Sequence, residues 1–145
     1  MIRVAVQESA IDIAAEHAVA ERADAGAVAT FTGLVRGDDG VTELMLEHYP
    51  GATERALEAL CAEAVARWTL AAATVVHRVG PMVPGDRVVF VATTARHRAA
   101  ALEACAFLID RLKTGAPFWK RERRGVDARW VEARDTDDAA AARWL

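Results

Sequence analysis

Two lysines flank an apolar, proline-containing kink in the segment LKTGAPFWKRERRG. Lys113 and Lys120 are seven positions apart, and Pro117, Phe118 and Trp119 lie between them. A lysine that apolar neighbours remove from water has a lowered pKa, so its neutral amine can act as a base or a nucleophile. These residues predict a local site for an anionic substrate with an activated lysine, while a solvated basic loop has the same composition.

A second basic cluster, formed by Arg96, His97 and Arg98, opens a predicted helix. Free N–H groups give a helix start partial positive charge, so cations there are unfavourable unless an anion is bound or their side chains reach water. In the earlier segment FTGLVRGDDG, Gly33 permits close backbone approach and Arg36 can reach an anion, while a plain hairpin turn would use the same residues. Both segments are candidates for phosphate binding.

Composition and spacing exclude several other kinds of site. With a net charge of -3 and a pI near 5.8, the chain lacks a broad positive surface for nucleic acid, and Glu122 interrupts the basic cluster. The histidines have no metal-ligand spacing, and no glycine motif of the P-loop or dinucleotide type is present. Cys61 and Cys105 lie in apolar helical stripes, which predicts buried, unreactive thiols. We therefore expect no metal site, no nucleic-acid partner and no nucleophilic cysteine.

The sequence contains no predicted signal peptide or membrane span. Glu8 comes too early in MIRVAVQES for the apolar region of a signal peptide, and no run approaches about 18 apolar residues. We therefore expect a cytoplasmic protein without a membrane partner. Its 145 residues match the usual size of one domain, so we expect a single domain over residues 1–145.

Hydrophobic periodicity predicts the elements that position these residues. Strands are expected at IRVAV, at residues 26–35, at VTELMLEHY, ATVVHRVG, DRVVFVATT and ARWVEAR. Helices are expected from a Ser9–Asp12 capping box to about Arg22, in PGATERALEALCAEAVARW, in RHRAAALEACAFLIDRLK and in DTDDAAAARWL. The third helix is expected to bury Leu102, Cys105, Ala106, Ile109 and Leu112. RGDDG is expected to close a hairpin, and the lysine segment (residues 112–125) is expected to continue from the third helix as a loop. Because strict β–α alternation is missing, the sequence predicts an α+β fold with a mixed, largely antiparallel sheet.

Seven motifs, taken in order, resemble the large, catalytic subunit of molybdopterin synthase. They are ATFTGLVRG, LEHYPG, HRVG, GDRVVFV, RHRAAALEA, LKTGAPFWKRE and WVEAR, and the match extends from about Gly26 to Trp144. The resemblance implies an α+β fold with a hammerhead-like β element, and a homodimer that forms the core of a heterotetramer. It also implies a small ubiquitin-like partner subunit at each end, whose C-terminal Gly-Gly carries a thiocarboxylate.

The reaction that this resemblance implies is a sulfur transfer without a cofactor. Two sulfurs pass in succession from the thiocarboxylate to cyclic pyranopterin monophosphate and form the dithiolene of molybdopterin. Lys113 and Lys120 correspond to the active-site lysines, with Lys113 as the first candidate for direct participation. The segments that line the pterin and its phosphate correspond to Leu34, Val35 and Arg36, to His97 and Arg98, and to Lys120, Arg121 and Glu122, with Arg134 as a weaker candidate. The resemblance further implies that His97 and Arg98 reach the site from the neighbouring protomer.

Two other functions fit the same residues. A Schiff-base enzyme would also place Lys113 beside apolar residues, and borohydride trapping of a substrate carbonyl would reveal it. A binding module would use the basic segment only to dock an anion or the acidic tail of a partner protein. RGDDG is also shorter than the loop usually found at this place in the family, which affects the expected shape of the pocket rim.

Overall fold

The computed structural model describes residues 1–125, 127–131 and 135–144. Within them the strands are β1 (Ile2–Gln7), β2 (Ala27–Leu34), β3 (Glu43–His48), β4 (Ala72–Arg78), β5 (Gly80–Met82), β6 (Arg87–Ala95), β7 (Phe118–Arg124) and β8 (Asp127–Val131). The helices are α1 (Ile13–Ala20), α2 (Ala52–Trp68), α3 (Arg98–Gly115) and α4 (Asp135–Ala142). Strands β1-β4-β6-β2 form one sheet and β5-β3-β7-β8 a second. Since β1 is parallel to β4 and the other described pairs are antiparallel, the α+β prediction is confirmed, with two sheets in place of one.

Helices cover both faces of the first sheet. On one face, α2 and α3 pack around Val75 and Phe107. On the other face, Ala20 of α1 packs with Val76 and Phe90. The adjacent valines of β4 face different layers because successive side chains of a strand point to opposite faces.

A third group of buried residues, here called the inter-sheet cluster, connects the two sheets. It consists of Val35, Leu44, Leu46, Val79 and Met82. Both leucines of β3 are 6% exposed, as the alternation of apolar and polar residues in VTELMLEHY favours. Burial of each such side chain contributes about 1.5 to 3 kcal/mol, so the cluster holds the second sheet against the first.

The predicted hairpin between β2 and β3 is wrong. β2 pairs with β6, whereas β3 pairs with β5 and β7. After β2, the Val35 N–H donates to the Asp86 carbonyl (2.9 Å), and the Val35 carbonyl accepts from the Gly85 N–H (2.9 Å). These hydrogen bonds hold the chain after β2 beside the loop that precedes β6. The chain therefore continues into the second sheet and does not form a hairpin with β2.

The first helix is shorter than predicted. Asp12 is its N-cap, not Ser9, since the Asp12 carboxylate accepts from the Ala15 N–H (3.1 Å). Ile11, just before this N-cap, is 2% exposed and packs in the core. The helix ends at Ala20, two residues before the predicted end.

The buried face of α3 also differs from the prediction. Leu102 is 62% exposed, and the buried side consists of Ala101, Ala104, Cys105, Phe107, Leu108 and Leu112. Apolar residues surround most of this helix, so periodicity alone does not identify the buried side. Two alanines on that side allow close packing, and the larger Leu102 points away.

Candidate active site

The part of the lysine segment that follows the helix, predicted as a loop, contains strand β7, which lies between β3 and β8. Helix α3 ends at Gly115, Ala116 is extended, and the Phe118 N–H donates to the Ala116 carbonyl (2.9 Å) across Pro117. The predicted end of the helix before Pro117 is confirmed, since proline disfavours helical geometry in the residue before it. The loop prediction is wrong because the free edge of β3 forms backbone hydrogen bonds with the residues that follow Pro117.

The alternation of β7 sorts its charged residues onto two faces. Lys120 and Glu122 lie opposite the two buried leucines of β3 and share their face of the sheet. Arg121 lies on the other face, with its guanidinium 5.7 Å from the ring centroid of Trp130. The structure therefore brings Lys120 and Glu122 together and directs Arg121 to the opposite side of the strand.

Glu122 forms ion pairs with two cations on its own strand. Its Oε1 is 3.2 Å from Nζ of Lys120, and its Oε2 is 3.1 Å from Nη2 of Arg124. The Glu122 side chain is only 12% exposed, and a carboxylate with so little hydration requires charged or hydrogen-bonding partners. The three side chains carry one net positive charge, and the carboxylate orients the Lys120 ammonium.

Lys113 lies in the last turn of α3, and its side chain is 49% exposed. Its Nζ is 3.9 Å from Oδ1 of Asp137 in α4. The apolar residues expected to shield it have other positions: Phe118 stacks on His77 with ring centroids 4.1 Å apart, and Trp119 is 40% exposed. Within this chain the Lys113 amine is therefore in contact with water, and its own neighbours do not desolvate it.

The segment formed by Leu34, Val35 and Arg36 is attached to the second sheet. Val35 is buried in the inter-sheet cluster with the leucines of β3, the strand that pairs with β7. Leu34 is 56% exposed, and the exposed Arg36 has its Nε 3.7 Å from Oδ1 of Asp38. Exposed ion pairs contribute little, so Arg36 can exchange Asp38 for an anionic ligand.

His97 and Arg98 are separated from the lysines of the same chain. His97 is the N-cap of α3 and both side chains are exposed. Sixteen residues of helix separate His97 from Lys113, which corresponds to about 24 Å. One chain therefore does not bring the two groups to one small ligand. The remaining candidate, Arg134, lies outside the described residues.

Three titratable groups lie in the core, away from solvent. Burial lowers the pKa of His77 to about 4, against the opposing effect of its Nδ1–H, which donates to the Arg78 carbonyl (2.8 Å). Burial raises the pKa of the Cys61 thiol to about 12 and that of the Cys105 thiol to about 11. The prediction of buried, unreactive cysteines is confirmed. For His77, its position in the valine-rich run of β4 was the signal of burial.

The first turn of α2 contains two polar residues that the sequence patterns did not single out. Thr53 is fully buried at the head of the apolar stripe of the helix. The Glu54 carboxylate accepts from the Gly51 N–H through Oε2 (3.1 Å), and its Oε1 is 3.8 Å from Nε2 of His48. A threonine in line with the apolar stripe, followed by a glutamate at the third helical position, was the available signal.

Across residues 1–125, 127–131 and 135–144, no group of three or more His, Cys, Asp or Glu side chains is arranged to hold a metal ion. Among the same residues, no helix combines the length and the apolar character needed to cross a membrane.

The fold and the site together define a class of two-sheet α+β protein with basic residues along a strand of its second sheet. The family model described as MoaE protein matches residues 6–115. A molybdopterin synthase catalytic subunit from Yersinia pestis is 49% identical over 146 residues, which cover 98% of this chain and 97% of that relative. The chain belongs to the MoaE protein family.

Solved structures have the same fold. Molybdopterin cofactor biosynthesis protein E from Burkholderia multivorans superposes with a TM-score of 0.87 at 50% identity, covering 99% of this chain and 97% of that one. A chain of molybdopterin synthase from Staphylococcus aureus superposes with a TM-score of 0.82 at 28% identity, covering 90% of this chain and 96% of that one. The family resemblance seen in the sequence motifs is confirmed.

Proposed function

We propose that this chain is the catalytic subunit of a molybdopterin synthase, a sulfurtransferase. A small ubiquitin-like partner brings sulfur as a C-terminal thiocarboxylate, and two sulfurs pass in succession to cyclic pyranopterin monophosphate to form the molybdopterin dithiolene. Each transfer leaves a carboxylate on the carrier in place of the thiocarboxylate. The observation that carries the proposal is that the only two lysines of a MoaE-family chain lie on either side of one short turn, Lys113 in the last turn of α3 and Lys120 in β7.

The sulfur in this proposal comes from the partner and not from this chain. Cys61 is fully buried and Cys105 is 5% exposed. Because burial raises the pKa of both thiols to about 11 or 12, almost none of either is the reactive thiolate near neutral pH. Neither cysteine can therefore accept and pass on sulfur without unfolding part of the core. A carrier that delivers its own sulfur removes this requirement.

The two lysines have different tasks. The Lys120 ammonium, held by the nearly buried Glu122, is a fixed positive charge for the negative charge that develops on the acyl carrier end. Lys113 is more exposed and has only a 3.9 Å contact to Asp137, so it can approach the thiocarboxylate and exchange a proton with it. Loss of one well-placed donor of this kind costs about 10² to 10³ in rate.

The cyclic phosphate is bound by the other basic residues. Arg36 is exposed on the segment attached to the second sheet, and His97 and Arg98 lie at the N-terminus of α3, where free N–H groups favour an anion. Since about 24 Å of helix separates His97 from Lys113, the pair at the helix start serves the site of a neighbouring protomer. The remaining candidates for the pterin pocket are Leu34, Val35, Arg121, Glu122 and Arg134.

This arrangement requires a homodimer, with a carrier subunit at each end to give a heterotetramer. We further propose that residues 1–145 form one domain and that the enzyme works in the cytoplasm, as the sequence patterns predict.

Reconstitution tests the proposed function directly. The purified chain is mixed with the thiocarboxylated small subunit and cyclic pyranopterin monophosphate, and molybdopterin is quantified after oxidation to a fluorescent derivative. We expect product from the wild type and about a 10²-fold lower rate from Lys113→Ala. Arg111→Ala is the matched control, because Arg111 is a basic residue of the same helix that instead pairs with Glu63 of α2 (3.4 Å). It should retain near-normal turnover.

Three outcomes would count against the proposal. Near-normal turnover by Lys113→Ala would refute the role of Lys113. A stable complex without molybdopterin from the wild type would identify a binding module. Borohydride-dependent attachment of substrate would indicate a Schiff-base enzyme, and peptide mapping would locate it easily because the chain has only two lysines.

A further inference from the structure

A buried threonine lies next to the turn that joins the two lysines. Thr53 is fully buried, and with Leu57, Leu60 and Cys61 it follows the i, i+4, i+7, i+8 spacing of one helix face. An apolar residue would be expected at that position, since a buried hydroxyl is unfavourable unless it is hydrogen-bonded. Its hydrogen bonds therefore indicate why a polar group is placed there.

The hydrogen bonds of Thr53 connect α2 to two strand ends. Its Oγ1 accepts from the Tyr49 N–H (3.1 Å) and donates to the Pro117 carbonyl (3.1 Å). Its backbone N–H donates to the Tyr49 carbonyl (2.9 Å). A hydroxyl has one proton, and that proton is directed to Pro117. Thr53 thus connects the residue after β3 to the residue before β7.

The turn at Pro117 connects the two lysines along the chain. Helix α2 lies beside this turn. A Cβ on Gly115 would lie 3.7 Å from a methyl of Leu60, two helical turns after Thr53. On the far side of the turn, Phe118 stacks on the buried His77. Proline has no N–H, so the carbonyl is the group through which its peptide can be held by a hydrogen bond. The Thr53 hydroxyl therefore holds the backbone of the short turn between α3 and β7, at the residue directly before β7.

We infer that Thr53 is a positioning residue for the pair formed by Lys113 and Lys120. By holding the Pro117 carbonyl, it sets where the lysine at the end of α3 stands relative to the lysine of β7. Thr53 does not touch the substrate. This inference rests on the proposed function, in which both amines act on one carrier end. A misplacement of about 1 Å in such a site can lower the rate about 10²-fold.

Kinetics of three variants provide the first test. Thr53→Val keeps the shape and removes the hydrogen bonds of the hydroxyl, and Thr53→Ser restores them. The matched control is Thr94→Val, because Thr94 is also fully buried and donates to a backbone carbonyl, that of Ala20 (2.7 Å), on the α1 side of the first sheet. We expect Thr53→Val to lower kcat about 10- to 100-fold with nearly unchanged KM for carrier and precursor. Thr53→Ser and Thr94→Val should stay within about threefold of wild type.

A spectroscopic measurement provides a second readout that does not depend on activity. Because the chain has only two lysines, lysine labelled with 13C at the ε-carbon gives two side-chain NMR signals. Thr53→Val should shift or broaden them, whereas Thr94→Val should leave them as in wild type. Equal kcat and equal lysine signals in Thr53→Val and Thr94→Val would overturn the inference. An inactive wild type would instead contradict the proposed function, and the NMR comparison would still decide whether Thr53 positions the lysines.

Discussion

The two lysines differ in how their ammonium groups are held. Lys120 pairs at 3.2 Å with Glu122, whose side chain is 12% exposed, whereas the half-exposed Lys113 makes only a 3.9 Å contact to Asp137. A charge already fixed in place needs little reorganisation during the reaction, and a loosely held amine can approach a ligand. Neighbouring charges, and not burial of an amine, therefore determine what each lysine can do.

At the same scale, His77 should make the stability of the fold depend on pH. Burial lowers its pKa to about 4 from an ordinary value of 6.5. Above pH 6.5 the imidazole is neutral in both the folded and the unfolded chain, so its protonation does not reduce the free energy of unfolding. As the pH falls from 6.5 towards 4, the unfolded chain binds a proton that the folded chain does not, and stability is lost. The loss should be on the order of 3 kcal/mol, measured by urea unfolding across this pH window.

Two histidine variants separate this effect from general acid sensitivity. His77→Gln removes the titrating group and should flatten the pH dependence over the window. His17→Gln is the control, because the His17 side chain is 44% exposed on α1 and its removal leaves His77 in place, so the pH dependence due to His77 should persist. A wild-type slope in His77→Gln would contradict the assignment.

Among the elements, β7 and α3 decide which candidate residues meet. The alternation of a strand places Lys120 and Glu122 on one face and Arg121 on the other, which a loop would not do. The length of α3 places Lys113 and Arg98 at opposite ends of a rigid rod. Within one chain, the two ends of this helix therefore cannot contact the same small ligand.

Trp144, two residues after the end of α4, anchors the C-terminal part of the chain to α3. The Trp144 ring lies 5.8 Å from that of Phe107, its Nε1–H donates to Asp110 (2.6 Å), and its carbonyl accepts from Arg67 (3.0 Å). We expect Trp144→Ala to lower the free energy of unfolding by about 2 kcal/mol, less than full burial would give, because the ring is only partly buried. Amide exchange should rise first in α4.

Graded variants distinguish the ring from its hydrogen bond. Trp144→Phe keeps an aromatic ring and loses the donor to Asp110, so its destabilisation should be about 1 kcal/mol. Trp130→Ala is the control, because the Trp130 side chain is 53% exposed and its loss should cost under about 0.5 kcal/mol. Equal losses at positions 144 and 130 would show that α4 is not held by this contact.

At the scale of the whole molecule, the proposed site is shared between two protomers. Lys113→Ala and Arg98→Ala should each be nearly inactive alone, since each removes one half of every site. Refolded together, half of the dimers carry both variants, and one of the two sites in each is complete. A two-fold dimer therefore predicts recovery of about a quarter of wild-type turnover, measured in the molybdopterin assay.

The control for this mixture uses two residues of one chain. Lys113→Ala mixed with Lys120→Ala should recover nothing, because both lysines of a site come from the same protomer. Recovery in this control, or none in the Arg98→Ala mixture, would contradict the shared site.

Local sequence patterns were sufficient to predict much of the fold. The stripe of α2, the alternation of β3, the end of α3 before Pro117 and the burial of Cys61 and Cys105 all follow from neighbours within one or two turns or strand positions. Such features depend on periodicity, backbone restriction and side-chain chemistry, which the sequence states directly. The lysines and basic clusters were found for the same reason.

The sequence by itself determined the α+β class, the helices, most strands and the residue types of a basic site. Only the tertiary structure decided that β2 pairs with β6 and not with β3, that the residues after Pro117 form a strand, and that Leu102 is exposed. It also showed Thr53 and Pro117, 64 positions apart, joined by a hydrogen bond. Partners so distant along the chain leave no local pattern, because long-range pairing is selected by the packing of whole elements and not by the residues beside each partner.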